Sequence, residues 1–182
     1  DMFEFDTESM INYEIGLKGT WLESRLQAQV AVFYQDRSDV QAKQSIFDSN
    51  NFSFDDFLAN AAGGDTSGLE VELNYLPIDA LRFFASGGVV SAEFDGFVSQ
   101  SHVDAKDDIN GVALPPVNLD GREVAHAPKY QFFVGGELSL TTNLVLRLEV
   151  EGKDEFYFSN SHNEKSTAYE LVNARLTYFG SN

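Results

Sequence analysis

The stretch from Tyr13 to Tyr34, YEIGLKGTWLESRLQAQVAVFY, alternates apolar and polar side chains on both sides of a short break. Tyr13, Ile15, Leu17 and Trp21 share one parity, while Asn12, Glu14, Lys18 and Thr20 share the other. After the break, Leu26, Ala28, Val30, Val32 and Tyr34 alternate with Arg25, Gln27, Gln29 and Gln35. A period of two puts successive side chains on opposite faces of a strand, so each segment has one apolar and one polar face. The apolar face must be covered, and a protein core or lipid acyl chains would both serve.

The pattern recurs along the chain. Leu69, Val71, Leu73 and Tyr75 alternate with Glu70, Glu72 and Asn74, and Leu81, Phe83, Ala85 and Val89 with Arg82 and Ser86. Tyr130, Phe132, Val134 and Leu138 oppose Gln131 and Glu137. Leu144, Leu146, Leu148 and Val150 oppose Arg147, Glu149 and Glu151, and Val172, Ala174, Leu176 and Tyr178 oppose Asn173, Arg175 and Thr177. These segments predict seven strands, roughly 12–21, 25–36, 67–76, 81–92, 130–140, 144–155 and 168–179. The 16 Phe and 7 Tyr favour strands over helices by propensity. No segment carries convincing helical periodicity; the nearest, FDDFLANAA (54–62), predicts a helical turn inside a loop.

The connections alternate in length. Leu22–Ser24, Pro77–Ala80 and Thr141–Asn143 are hairpin turns, whereas Arg37–Thr66, Glu93–Lys129 and Phe156–Thr167 are long loops. An antiparallel up-and-down meander then carries all its short turns at one end and all its long loops at the other. Strands of about 9–11 tilted residues cross a bilayer, whereas ordinary sheet strands average about 5–6. Aromatics bracket the apolar face, with Trp21, Tyr75 and Tyr178 near the short turns and Tyr13, Tyr34 and Tyr130 near the long loops. Two aromatic rows flanking an apolar band suit the two headgroup boundaries of an outer-membrane barrel. The expected fold is all-β, a partial transmembrane barrel: one open, curved sheet with sequential neighbours paired and two free edges. A soluble two-layer sandwich is the alternative, with the charged parity on its solvent side and the two ends of the chain in facing sheets.

The segments NYEIGLKGTW, GLEVELNYLP, HAPKYQFFVGGE and AYELVNARLTY together resemble the C-terminal part of the barrel of TonB-dependent outer-membrane receptors. The resemblance rests on an E-x-G-x-K strand (Glu14, Gly16, Lys18) and a G-x-E strand running into a Pro turn (Gly68, Glu70, Pro77). It continues with a Pro that opens the strand after a long loop (Pro128) and an N-A-R-L strand (Asn173–Leu176). It implies that residues 1–182 are about a third of a barrel of about 22 strands, without the plug domain and the final strands. It also implies a Gram-negative outer-membrane location and uptake of a scarce nutrient such as a ferric siderophore. Outer-membrane lipid, a small-molecule ligand such as a metal chelate, and the TonB energy-coupling complex, reached through the N-terminal part, are the implied partners. A porin-like barrel, an assembly factor and a secreted carbohydrate-binding β-sandwich are the rival readings.

Composition narrows the functional classes. A net charge of −17 with only 12 Lys and Arg argues against nucleic acid, which needs clustered cations. The absence of cysteine removes disulfides, thiol catalysis and Cys-ligated zinc. No apolar run approaches the ~20 residues of a membrane helix, and the opening DMFEFDTES carries no signal peptide and reads as the middle of a longer polypeptide. His102, His126 and His162 lie in different loops without zinc-ligand spacing, and His126 reads as structural. No G-x-S-x-G elbow exists, so no catalytic residue and no cofactor is assigned. The acidic loop from Asp95 to Lys129 contains DAKDDING (104–111), a loose likeness to a calcium loop that would put Lys106 at the first ligand position. A solvated acidic loop, or carboxylates bridged by divalent cations at a lipopolysaccharide surface, are the other readings. Phe47, Phe52, Phe54 and Phe57, and Phe156, Tyr157 and Phe158, either pack the loops or stack on a ligand at the mouth. Asn51-Phe-Ser53 matches a glycosylation sequon, which carries little meaning in a bacterial setting. Glu70, Glu72, Arg147, Glu149 and Arg175 are the lumen-facing candidates for ligand contact.

Overall fold

A computed structural model describes residues 5–48, 52–60, 63–99 and 117–180. They form the strands β1 (Ser9–Trp21), β2 (Leu26–Ser38), β3 (Gln41–Asp48), β4 (Ser53–Asn60), β5 (Gly63–Ile78) and β6 (Leu81–Asp95). The remainder are β7 (Val98–Ser99), β8 (Val117–Asn118), β9 (Tyr130–Thr141), β10 (Leu144–Lys153) and β11 (Tyr169–Tyr178). Seven make one sheet in the order β1-β2-β5-β6-β9-β10-β11, every pair antiparallel, with β1 and β11 at its edges. The expected meander of sequential neighbours is therefore present.

Register turns the parity of each strand into two continuous faces. Leu17, Val30, Val71, Gly87, Phe132 and Gly152 lie on one transverse row of the apolar face. Trp21, Leu26, Tyr75 and Phe83 form another row towards the short turns, and Tyr13 pairs with Tyr34 towards the long loops. Among the described residues, no second layer covers the apolar face. Ile15 is 76% exposed, Val172 75%, Leu148 51% and Val71 43%, while Val30 and Phe132 are partly buried between their neighbours. At about 25 cal/mol per Å² of apolar surface left in water, a face this size needs a nonaqueous partner. A sandwich is ruled out, because both ends of the meander share one sheet.

The structure revises the ends of the strands. β5 begins at Gly63, four residues before its expected start, and β2 continues to Ser38, two past its expected end, so the first long connection shrinks. FDDFLANAA does not make a helical turn: residues 53–60 are the strand β4, paired with β3 from Gln41↔Asn60 to Asp48↔Ser53. Cross-strand pairing satisfies its backbone groups, which a single helical turn would leave largely open. The side-chain amide of Asn60 anchors the hairpin base, donating to the Asp39 carbonyl at 2.6 Å and the Asp6 carbonyl at 3.1 Å.

The buried apolar residues among those described are Val40, Ala42, Phe94, Phe97 and Leu119, all at the long-loop end. Val40 packs beside Gly64, which pairs with Phe94 on the polar parity, so the base of the first long loop folds over the polar side of the sheet. At the other end, the β1–β2 turn carries Leu22, Glu23 and Ser24 at φ of 55, 56 and 69°. Left-handed backbone is costly for residues with a Cβ. The turn is held by Arg25, whose guanidinium meets the Asp79 carboxylate at 2.7 Å in the neighbouring β5–β6 turn.

Candidate functional site

Two hollows occupy the polar face of the sheet. The one nearer the short turns, about 560 Å³, is lined by Lys18, Glu72, Arg82, Phe84, Phe133 and Arg147 among others. Phe84 and Phe133 are unexpected on this parity. Their rings stack with centroids 5.5 Å apart and planes inclined by 23°. The Arg147 guanidinium lies 4.5 Å from the Phe84 centroid and that of Arg82 5.7 Å, within cation–π range. Phe84 sits directly opposite Gly135, where an added Cβ would come 2.4 Å from its ring. The glycine lets the ring lie against the wall. Phe33 opposite Gly68 repeats the arrangement on the same face, at 2.5 Å.

Arg147 is also held by two carboxylates, Glu149 at 2.6 Å from Nε and Glu137 at 3.5 Å from Nη1. Arg82 donates from Nε to the Asn74 side-chain oxygen at 2.8 Å. The second hollow, about 430 Å³ and nearer the long loops, is lined by Glu70, Glu72, Glu151, Gln131, Lys153 and Tyr169 among others. Charge is thus graded along the wall, carboxylate-rich towards the loops and arginine-rich towards the turns.

The five lumen-wall candidates all fall on the polar face, but in different places. Glu70 lines the upper hollow, Glu72 both, Arg147 the lower one, and Arg147, Glu149 and Arg175 a third, smaller hollow. Arg82, Phe84, Phe133 and Glu137 belong with them. Parity alone could have flagged Arg82 and Glu137, whereas the aromatic pair needed the register with Gly135.

Above the wall, the second and third long loops are tied together. Arg122 donates to the Asn163 side-chain oxygen at 2.9 Å and to the His162 carbonyl, and its guanidinium lies 4.1 Å from the Tyr157 ring centroid. Lys165 lies 4.2 Å from the same centroid and bonds the Glu155 carboxylate at 2.9 Å. Glu123 pairs with Lys129 at 2.5 Å and Lys165 at 3.8 Å. The hydrogen bond from Lys129 holds the Glu123 carboxyl below its ordinary value and raises Lys129 in return, and Glu155 raises Lys165. The first loop is tied to the segment before β1. Glu8 accepts from the Gln41 backbone N–H at 3.0 Å and from Arg37, in that order of effect, and both lower its pKa.

His126 is structural in its setting, with φ at 62°, its N–H donating to the Tyr157 carbonyl at 2.9 Å, and its ring 5.6 Å from Phe156. Phe156 and Phe158 pack edge-on at 5.7 Å within the third loop, while Phe156 against His126 and Tyr157 against Arg122 join it to the second. Residues 104–111, His102, Asn51 and the side chains of Phe47 and Phe54 lie outside the described residues. Among those described, no group of three or more His, Asp or Glu is placed to hold a metal ion. No described helix is long and apolar enough to cross a membrane.

Comparison with known proteins agrees with this architecture. The ferric yersiniabactin uptake receptor FyuA of Yersinia pestis superposes with a TM-score of 0.66 at 21% identity, over 96% of this chain and 23% of that one. The siderophore receptor PiuA of Acinetobacter baumannii gives 0.71 at 16% identity, over 96% and 22%. The copper transporter OprC gives 0.67 at 12% identity, over 98% and 24%. At these identities the likeness speaks for the fold, and the chain spans about a quarter of the length of each. The sequence model described as TonB dependent receptor-like, beta-barrel, matches residues 4–180. With nearly its whole length matched, the chain belongs to the TonB-dependent receptor β-barrel family of the Gram-negative outer membrane.

Proposed function

We propose that these 182 residues form one arc of the closed barrel of a receptor that takes up a scarce nutrient, a metal chelate such as a ferric siderophore. The observation that carries the reading is the unbroken seven-stranded meander, one face apolar and uncovered and the other polar and hollowed. In a closed barrel the first face meets acyl chains and the second lines a wet lumen. The solved structures it resembles include ferric-chelate and copper receptors, which supports a metal-bearing cargo.

In this reading the long loops capture the ligand, and the TonB complex supplies energy through a plug domain encoded outside these residues. The arc contributes wall and loops and no catalytic step. Glu70, Glu72, Arg147, Glu149 and Arg175, joined by Arg82, are the wall positions proposed to meet plug or cargo. The net charge of −17 disfavours a highly anionic ligand, because like charge lowers its concentration at the mouth.

The test is uptake by cells carrying the full-length receptor. Deleting its gene is expected to abolish energy-dependent accumulation of at least one labelled metal chelate under metal limitation. Undiminished accumulation of every chelate that wild-type cells import would overturn the proposal.

A further inference from the structure

Arg147 and Arg175 stand directly opposite each other across the β10–β11 pair, both on the polar face. Like charges in opposed positions work against strand pairing. Arg147 is compensated by Glu137 and Glu149, and both carboxylates are engaged by that contact. Arg175 is exposed, and among the described residues it makes no hydrogen bond or ion pair. Its own strand offers no carboxylate, since the polar-face residues of β11 are Tyr169, Leu171, Asn173, Arg175 and Thr177, and Glu170 has the other parity. β11 is paired on one side only. A guanidinium stays charged at any relevant pH, and its fork matches a carboxylate.

We infer that the strand pairing with the free edge of β11 in the closed barrel presents a carboxylate to the lumen, opposite Arg175 or two residues from that position. This inference rests on the reading of the chain as an arc of a closed barrel. Opposed and diagonal cross-strand positions are the ones an arginine reaches. The pair also fixes the register of that junction. A slip of one residue at that junction turns the neighbouring strand's carboxylate towards lipid, where a charge is disfavoured, and leaves Arg175 unpaired. An ion pair on the lumen side therefore marks the correct alignment, with the Asn173 side chain beside it.

The test uses the full-length receptor in outer membranes. Cysteine at Asn173 or Thr177 is combined with single cysteines along the strand next to β11, and oxidation maps the register; this stretch has no cysteine of its own. The map is expected to place an Asp or Glu opposite Arg175 or two residues away. Arg175→Glu is expected to lower the heat-unfolding midpoint, read as gel mobility, by several degrees. The exchange of both charges is expected to recover at least half of that loss. Arg175→Gln, with a smaller loss, serves if the reversed variant does not assemble, the same acid neutralised giving no further loss in its presence. Cross-links that form with no acid at those positions, or losses that simply add, overturn the inference while leaving the arc standing. Absence of any cross-link to β11 overturns the arc reading itself, and the inference with it.

Discussion

The membrane-length part of the sheet and the rim formed by its long loops are built on opposite principles. The sheet has no core of its own: its apolar side chains remain exposed, and order comes from backbone ladders between neighbours. The rim has a small core around Phe94 and Phe97, with Val40, Ala42 and Leu119 closing it, and the Glu123–Lys165 ion pair tying the second and third loops together. One chain is thus fitted to two solvents. Lipid replaces a protein core where acyl chains are available, and the loops, which stand in water, must supply their own.

If that contrast is right, a cavity made in the rim and a charge placed on the band should fail differently. Phe97→Ala removes a fully buried ring that lies 4.8 Å from that of Phe94. It is expected to cost the rim about 3–5 kcal/mol, opening the loops to protease in the assembled receptor while the strands stay protected. Leu148→Lys puts a charge in the apolar band and is expected to cost about 2–4 kcal/mol in lipid-vesicle refolding. Gln29→Lys, on the polar face of β2 in the same sheet, should lie within about 0.5 kcal/mol of wild type in the same measurement. Equal penalties for the two lysines would erase the distinction between the faces.

Smaller effects sharpen the comparison at the two ends of the barrel. Glu23→Gly relieves left-handed backbone in the β1–β2 turn, and a gain of about 0.5–1 kcal/mol is expected in urea refolding titrations. Acid should loosen the rim before the sheet. Glu8 and Glu123 are held below their ordinary value of 4.5, so their stabilisation is complete above that value and is lost as pH falls through the folded-state value. Hydrogen exchange in residues 37–48 and 119–129 is expected to quicken below about pH 4, with the amides of β9 and β10 unchanged. Simultaneous loss of protection in both regions would make rim and sheet one cooperative unit.

How much of this was legible in the sequence follows from the range of each interaction. The seven strands and their faces were readable because period two is local, and each short turn fixes which strand comes next. The β3–β4 hairpin was not, since Phe54, Phe57 and Leu58 are spaced as well for a helical turn as for a strand, and only pairing with β3 decides. Phe84 and Phe133 break the rule that the polar parity is polar; the place of Phe84 depends on Gly135 in the adjacent strand, about fifty residues along the chain, which no single segment reveals. The five wall candidates were found by parity, yet their division among three hollows depends on the register of all seven strands of the sheet. Arg122 had no local signal at all, because its partners lie about forty residues further along the chain.

The orientation of the apolar face is open to direct measurement. Single spin labels at positions 15, 30, 71, 132 and 148 of the full-length receptor, reconstituted in lipid, report collision with dissolved oxygen and with a water-soluble nickel chelate. All five are expected to meet oxygen freely and the chelate hardly at all, while labels at Glu72 and Glu149 show the reverse. Labels at the five positions that meet neither reagent, or meet the chelate as readily as the wall labels do, would contradict a lipid-facing band.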